Sequence, residues 1–297
     1  MTSSAQATPS WLTRIDEMAA EIVDMTFPIE TDTLAIIKKM LLAPGDDSEA
    51  VDGAVRDIRA YYSNRLFPPD DSFYRNLPDH GVKDVVGAVV DHVFELAGAI
   101  PWRDPAHKRL AHLLIGLKKS AASDFDPENP QLGWSSENLD WHAAEIWRSF
   151  HPNHTSPIEE CTAALNTHTL LARLVAADMF PADGAWRAAT CISEGLQGPP
   201  TAEFSTDTPL VRACRAVIAT RYIVLAGDVL IRELQGKPGA DTEAVVRRGE
   251  WNWWSDRVRQ RAAAGEGAGD GAEEWDLRGS AEEAREKIER WLGGGKS

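Results

Sequence analysis

Polar side chains set inside an apolar helical stretch are the first candidates for chemistry in this chain. In the segment CTAALNTHTLLARLVAADMF, residues 161–180, Asn166, His168 and Arg173 form such a streak, with Asn166 and Arg173 two helical turns apart and able to face the same way. One reading makes them a ligand-recognition patch in a groove between helices, where small-molecule sites of bundles lie. The other makes them an interhelical hydrogen-bond network that fixes packing. Arg221, set among Ile218, Tyr222 and Val224, needs a carboxylate or carbonyl partner from the protein or from a ligand. Asp228 would be a buried base or ligand group if unpaired, but Arg232 four residues on makes a helical ion pair the simpler expectation. Of the 11 tryptophans, Trp251 and Trp254 share a helix face with Val258, while Trp253 can lie over Arg257 as a cation and ring pair. That face is either core or an exposed patch for a protein partner or a small apolar ligand.

Metal and cofactor signatures are weak. His107 and His112 are five residues apart and fall on different helix faces, so they do not make a two-histidine site. His151 and His154 precede Cys161 without a CxxC or HExxH frame. The run GEGAGDG, residues 265–271, has the glycines of a dinucleotide loop but follows a helical pattern and precedes acids, so it reads as a linker. Asp46-Asp47 and Asp70-Asp71 lack the spacing of the paired aspartate motifs that hold metal in helical prenyl-diphosphate enzymes. No metal, no cofactor and no catalytic constellation is expected.

The elements that would hold these residues are helices throughout. Apolar residues recur at three and four positions over 10–26, 32–42, 47–66, 80–99, 104–117, 136–150, 156–179, 182–197, 208–235, 241–248 continuing past Gly249 as 251–264, and 280–292. The stretch 208–235 is apolar on most sides: Val211, Cys214, Ile218, Tyr222, Leu225 and Val229 form one stripe and Leu210, Val217, Val224 and Ile231 a second. Thr208-Pro209 begins it with a capping hydroxyl and a proline whose missing amide is no loss there. Ser156-Pro157-Ile158-Glu159 and Ser280-Ala281-Glu282-Glu283 read as capping boxes, and Trp141 and Trp147 are expected to stack with Leu139, Ile146 and Phe150. The prediction is therefore an all-α protein of ten to eleven helices, an irregular antiparallel bundle around a buried central helix, 208–235. It forms one domain over 10–292 with a hinge near 67–78 and a flexible glycine-rich linker over 265–279. Residues 1–9 and 293–297 are expected to be disordered.

Composition narrows the partners. The 297 residues carry 31 Lys plus Arg against 46 Asp plus Glu, a net charge of -15, which repels nucleic acid and anionic lipid surfaces. Neither is expected as a partner. Cys161, Cys191 and Cys214 are widely spaced within helical patterns and read as core thiols of a reducing compartment. No basic, apolar leader opens the sequence, and no apolar run approaches the roughly 20 residues that span a bilayer. An intracellular, cytoplasmic protein is the expectation.

From residue 156 onward the chain resembles a widespread family of filamentous-fungal proteins, all-helical and of unknown function. The segment 160–197 is similar to the family's Trp-x-x-Leu-Asn-Ala-Phe-x-Ala-Arg-Leu block, with Asn166, Ala172, Arg173 and Leu174 in matching places. ACRAVIATRYIVLAGDVLIREL is similar to its alanine-rich stretch, and GEWNWWSDRVRQRA to its Gly-x-x-Trp-x-Trp-Trp-x-x-Arg-Phe block. The first block's tryptophan is replaced around Cys161, its aromatic is His168 or a neighbour, and the final phenylalanine is Val258. The resemblance implies a helical fold and a fungal source; it implies no activity.

Two functions follow as expectations. The first is a non-enzymatic intracellular binding or protein-interaction protein. The alternative is a small-molecule binder or enzyme acting in an interhelical groove lined by Asn166, His168, Arg173 and Arg221, with Trp251 and Trp254 as further contacts.

Overall fold

A helix needs a capped start, an apolar face and a stop, and most of this chain supplies all three. The computed structural model describes residues 9–22, 28–45, 47–66, 82–124, 136–149, 152–180, 183–196, 207–235, 253–254, 256–258, 260 and 272–293. Its helices are α1 (Ser10–Ile22), α2 (Pro28–Leu42), α3 (Asp47–Leu66), α4 (Val82–Ala99), α5 (Pro105–Asp124), α6 (Ser136–Ser149), α7 (Ile158–Ala176), α8 (Gly184–Leu196), α9 (Pro209–Gln235) and α10 (Leu277–Gly293), with a 3-10 turn at Ala272–Trp275. Residues 253–260, where described, are also helical. There is no strand among the described residues, and no helix among them is long and apolar enough to cross a membrane.

The chain gathers into two compact units, Met1–Ala144 and Glu145–Ser297, dividing within α6, where the sequence suggests one domain over 10–292. The suggested hinge at 67–78 lies outside the described residues, as do 1–8 and 294–297.

In the first unit α2 packs on α1, α3 and α4, and α3 on α5, around Ile15, Ile37, Ile58, Val89 and Leu113. Pro28 opens α2 four residues before the start that the spacing gives, because a first-turn proline loses no hydrogen bond. Arg109 of α5 is buried and closes the other end of α2: its Nη1 donates to the carbonyls of Met40, Leu41 and Ala43 at 2.9, 3.1 and 2.8 Å, and its Nε to Asp47 Oδ1 at 2.8 Å. Those carbonyls are the ones a helix end leaves unpaired.

In the second unit α9 is the centre, packed on α7, α8 and α10. Val211, Cys214, Val217, Ile218, Tyr222 and Val229 are buried as the periodicity predicts, and the Thr208 hydroxyl accepts from the Val211 amide at 3.3 Å. Gly195 brings α8 against α9 so closely that a Cβ would enter the Arg215 carbonyl, and Gly227 does the same beneath the Trp291 ring of α10. Burying six such side chains is worth about 1.5 to 3 kcal/mol each before chain entropy is subtracted.

Four local expectations are corrected. Of the supposed linker 265–279, residues 265–271 lie outside the described residues and the rest form the 3-10 turn and the start of α10: buried Trp275 donates to Thr162 Oγ1 at 3.2 Å, and Asp276 Oδ1 accepts from the Gly279 amide at 3.0 Å. Asp276, not Ser280, therefore caps the last helix, four residues earlier than expected. The Ser156 hydroxyl does not cap α7 but donates to Glu160 Oε2 at 2.7 Å. Trp141 is exposed where burial against Leu139, Ile146 and Phe150 is expected, whereas Trp147 is buried.

Candidate functional site

The polar streak of α7 lies inside the second unit. Asn166 and His168 are buried and Arg173, in the last turn, is half-buried. His168 meets α9 at Tyr222, with Nδ1 3.1 Å from the phenolic oxygen and the rings edge to face. Trp147 Nε1 donates to the same oxygen at 2.9 Å, and the Cys191 thiol of α8 also bonds to it. A phenolic oxygen can accept twice and donate once. Assigning both ring N–H groups as donors and Cys191 as acceptor uses all three directions. Burial pushes the Tyr222 phenol and the Cys191 thiol well above their ordinary values, so both keep their protons.

Trp147 is fixed in turn, by the edge of Phe180 with centroids 5.2 Å apart and by the Arg187 guanidinium 5.1 Å above its ring. Arg221 is buried on α9 and donates from Nη2 to Glu283 Oε2 of α10 at 2.8 Å, which supplies the carboxylate its surroundings demand. Burial, and then the like charge of Arg221, hold Arg173 below its ordinary value. Thus His168 and Arg221 each meet a partner within the protein, on α9 and α10. Trp254 and Val258 are buried, so this face of the tryptophan segment belongs to the core. Arg257 does sit over Trp253, 5.6 Å from its centroid. Trp251 lies outside the described residues.

Asp228 is exposed and not paired along its own helix as expected. It accepts from Lys287 Nζ at 2.6 Å and Trp291 Nε1 at 2.9 Å, both on α10. Burial opposes its charge, but these two donors outweigh that and keep the carboxyl below its usual range.

A further polar cluster escapes the sequence reading. Asp207, buried just before α9, binds His154 Nδ1 at 2.5 Å and Arg215 Nε at 3.2 Å, and Arg215 also donates to the Pro152 carbonyl at 2.9 Å. It clamps the turn before α7 to the start of α9. The nearby thiols of Cys161 and Cys214 are both buried; their mutual hydrogen bond lowers Cys161 and raises Cys214. Among the described residues no three His, Cys, Asp or Glu side chains are placed to hold a metal ion.

Among the described residues, an open feature of the first unit is a recess of about 200 Å³ between α1, α2 and α4. Arg14, Met18, Glu21 and Ile22 line it from α1, Glu30 from α2, and Ala88, Asp91, His92 and Glu95 from α4. Arg14 is braced by Glu95 at 2.6 Å and by Glu17 and Glu21 at 3.2 Å each. His92 is 6% exposed and its Nε2–H donates to the Glu30 carbonyl at 2.9 Å, tying α4 to α2. Burial lowers its pKa, which favours the neutral ring. The signal for this site was present in the sequence as Asp91-His92 and Glu95 interrupting the valine-rich run of α4. The partners on α1 and α2 are some 60 to 80 residues away, and periodicity does not reveal them.

Comparisons of the chain with protein-family models, with curated proteins and with solved structures give no match.

Proposed function

We propose that this is a non-enzymatic binding protein of the cell interior, and that the recess of the first unit is where it takes its ligand. The observation that carries the reading is the contrast in how polar groups are used. Around α9 they turn inward onto one another, as His168 to Tyr222 and Arg221 to Glu283. In the first unit Glu30 and His92 stand beside an open volume with Met18, Ile22 and Ala88. A concave apolar surface with a few convergent polar groups is the usual form of a small-ligand site.

The alternative, a groove lined by Asn166, His168, Arg173 and Arg221, would require a ligand to displace the His168–Tyr222 and Arg221–Glu283 bonds from buried positions. The likeness of 156–292 to the fungal helical family belongs to the same proposal and adds no activity to it.

Native mass spectrometry of the full chain purified from its own host tests the reading. The expected result is a bound species on the wild-type protein that is missing from Glu30→Lys, whose own ammonium would fill the recess. A bound species retained by Glu30→Lys would refute the recess as the site.

A further inference from the structure

We propose that the group bound in this recess is a primary alkylammonium, one positive charge on a short aliphatic stem. The inference rests on the reading of the recess as the ligand site and assigns the ligand's chemistry. Four carboxylates, Glu21, Glu30, Asp91 and Glu95, line the recess against the single guanidinium of Arg14, which argues against an anion.

Two acceptors single out a donor. The Glu30 carboxylate lines the recess, and its Oε2 has no hydrogen-bond partner among the described residues. A half-buried carboxylate gains from any donor that reaches it. His92, more than nine-tenths buried, spends its one N–H on the Glu30 carbonyl, so its Nδ1 carries a lone pair, for which the described residues supply no donor. The recess thus offers a carboxylate from α2 and a neutral imidazole acceptor from α4, beside the apolar side chains of Met18, Ile22 and Ala88.

Three alternatives fit less well. A bare metal ion needs several ligands converging on one point, and no such trio exists among the described residues. A guanidinium prefers a coplanar pair of oxygens, and Arg14 already occupies Glu95 from both Nε and Nη2. A neutral apolar molecule leaves Glu30 unanswered. An ammonium directs three donors tetrahedrally, which suits acceptors arriving from two different helices, and a volume of about 200 Å³ holds such a head with a few methylenes.

The test is isothermal titration calorimetry of the full chain with n-pentylammonium chloride, with 1-pentanol as the uncharged isostere and with Nα-acetyl-lysine methylamide as the side-chain form of the same cation. We expect pentylammonium or the lysine derivative to bind one to one, pentanol to bind at least about tenfold more weakly, and Glu30→Gln to weaken the cation by about tenfold or more. His92→Phe provides a second variant and should weaken it as well. Preference for pentylammonium points to a free amine, and preference for the lysine derivative to a side chain of a partner; both support the site. Binding of neither cation, equal binding of pentanol, or full affinity in both variants overturns the inference. If neither cation binds but the host-derived species is still lost from Glu30→Lys, the recess remains the ligand site and only the assigned chemistry is wrong.

Discussion

Removing one oxygen, in Tyr222→Phe, tests whether the polar groups around α9 are structural. The phenol is fully buried, and its oxygen is the meeting point of Trp147 Nε1 at 2.9 Å, His168 Nδ1 at 3.1 Å and the Cys191 thiol. Phenylalanine keeps the ring and its packing, so the transfer and cavity contributions are small. What changes is that two buried ring nitrogens lose their common partner, each at about 1 to 3 kcal/mol. Partial relaxation of His168 leaves an expected loss of about 2 to 4 kcal/mol, a large fraction of the stability of an ordinary domain. Urea unfolding followed by far-UV circular dichroism measures it from the shift in midpoint at unchanged slope. A double-mutant cycle with Trp147→Phe adds a sharper criterion. With the indole donor gone, the second substitution should cost about 0.5 to 3 kcal/mol less than it does alone. A loss under about 0.5 kcal/mol for Tyr222→Phe, or strictly additive costs, would refute the network and return His168 to the candidates for ligand binding.

Other substitutions probe the packing and the recess. Trp254→Ala removes one of the largest fully buried side chains and should cost about 3 to 5 kcal/mol in the same assay; under about 1 kcal/mol would mean a partner surface instead. Gly195→Ala drives a methyl into the backbone carbonyl of Arg215 and should cost about 1 to 3 kcal/mol or more, while Gly227→Ala meets only the Trp291 side chain and should cost less; the reverse order of melting temperatures would contradict the close approach of α8 and α9. His92 makes a pH prediction. Its folded pKa lies below its ordinary 6.5, chiefly through burial, so the unfolded chain takes up the proton first. Its contribution is therefore complete above about 6.5 and is lost as the pH falls towards the folded value. Between about pH 7.5 and 5 the melting temperature of the wild type should fall further than that of His92→Gln, which can still donate to the Glu30 carbonyl. Equal declines would show that the ring is not held neutral.

Much of the helical fold was legible because its signal is local. The stripe from Val211 to Val229 specifies a buried helix, and Thr208-Pro209 marks its start, since both depend on spacing and on a neighbour within one turn. Errors arose where one local signal competed with another. Pro28 can stop one helix or start the next, and the start prevails because its missing amide is harmless there. Likewise Asp276 and Ser280 are both capping residues. The buried indole of Trp275, reaching Thr162 more than a hundred residues earlier, holds the chain so that Asp276 supplies the cap.

The candidate site was legible in type more than in place. A guanidinium inside an apolar helix had to be answered, and Glu283 answers Arg221 from a helix whose register sequence alone did not set. Asp228 shows the limit of the same argument. An acid four residues before a base invites a helical pair, yet Lys287 and Trp291 of α10 bind it instead, because the tight crossing at Gly227 brings that helix within reach. The recess is the extreme case, for Glu30, Asp91 and His92 are unremarkable where they stand in the chain. Only the packing of α2 against α4 turns a backbone carbonyl, an imidazole and a carboxylate towards one another. A recess assembled from three helices is set by long-range contacts, and so is the state of Glu30 Oε2, which those contacts leave without a hydrogen-bond partner among the described residues.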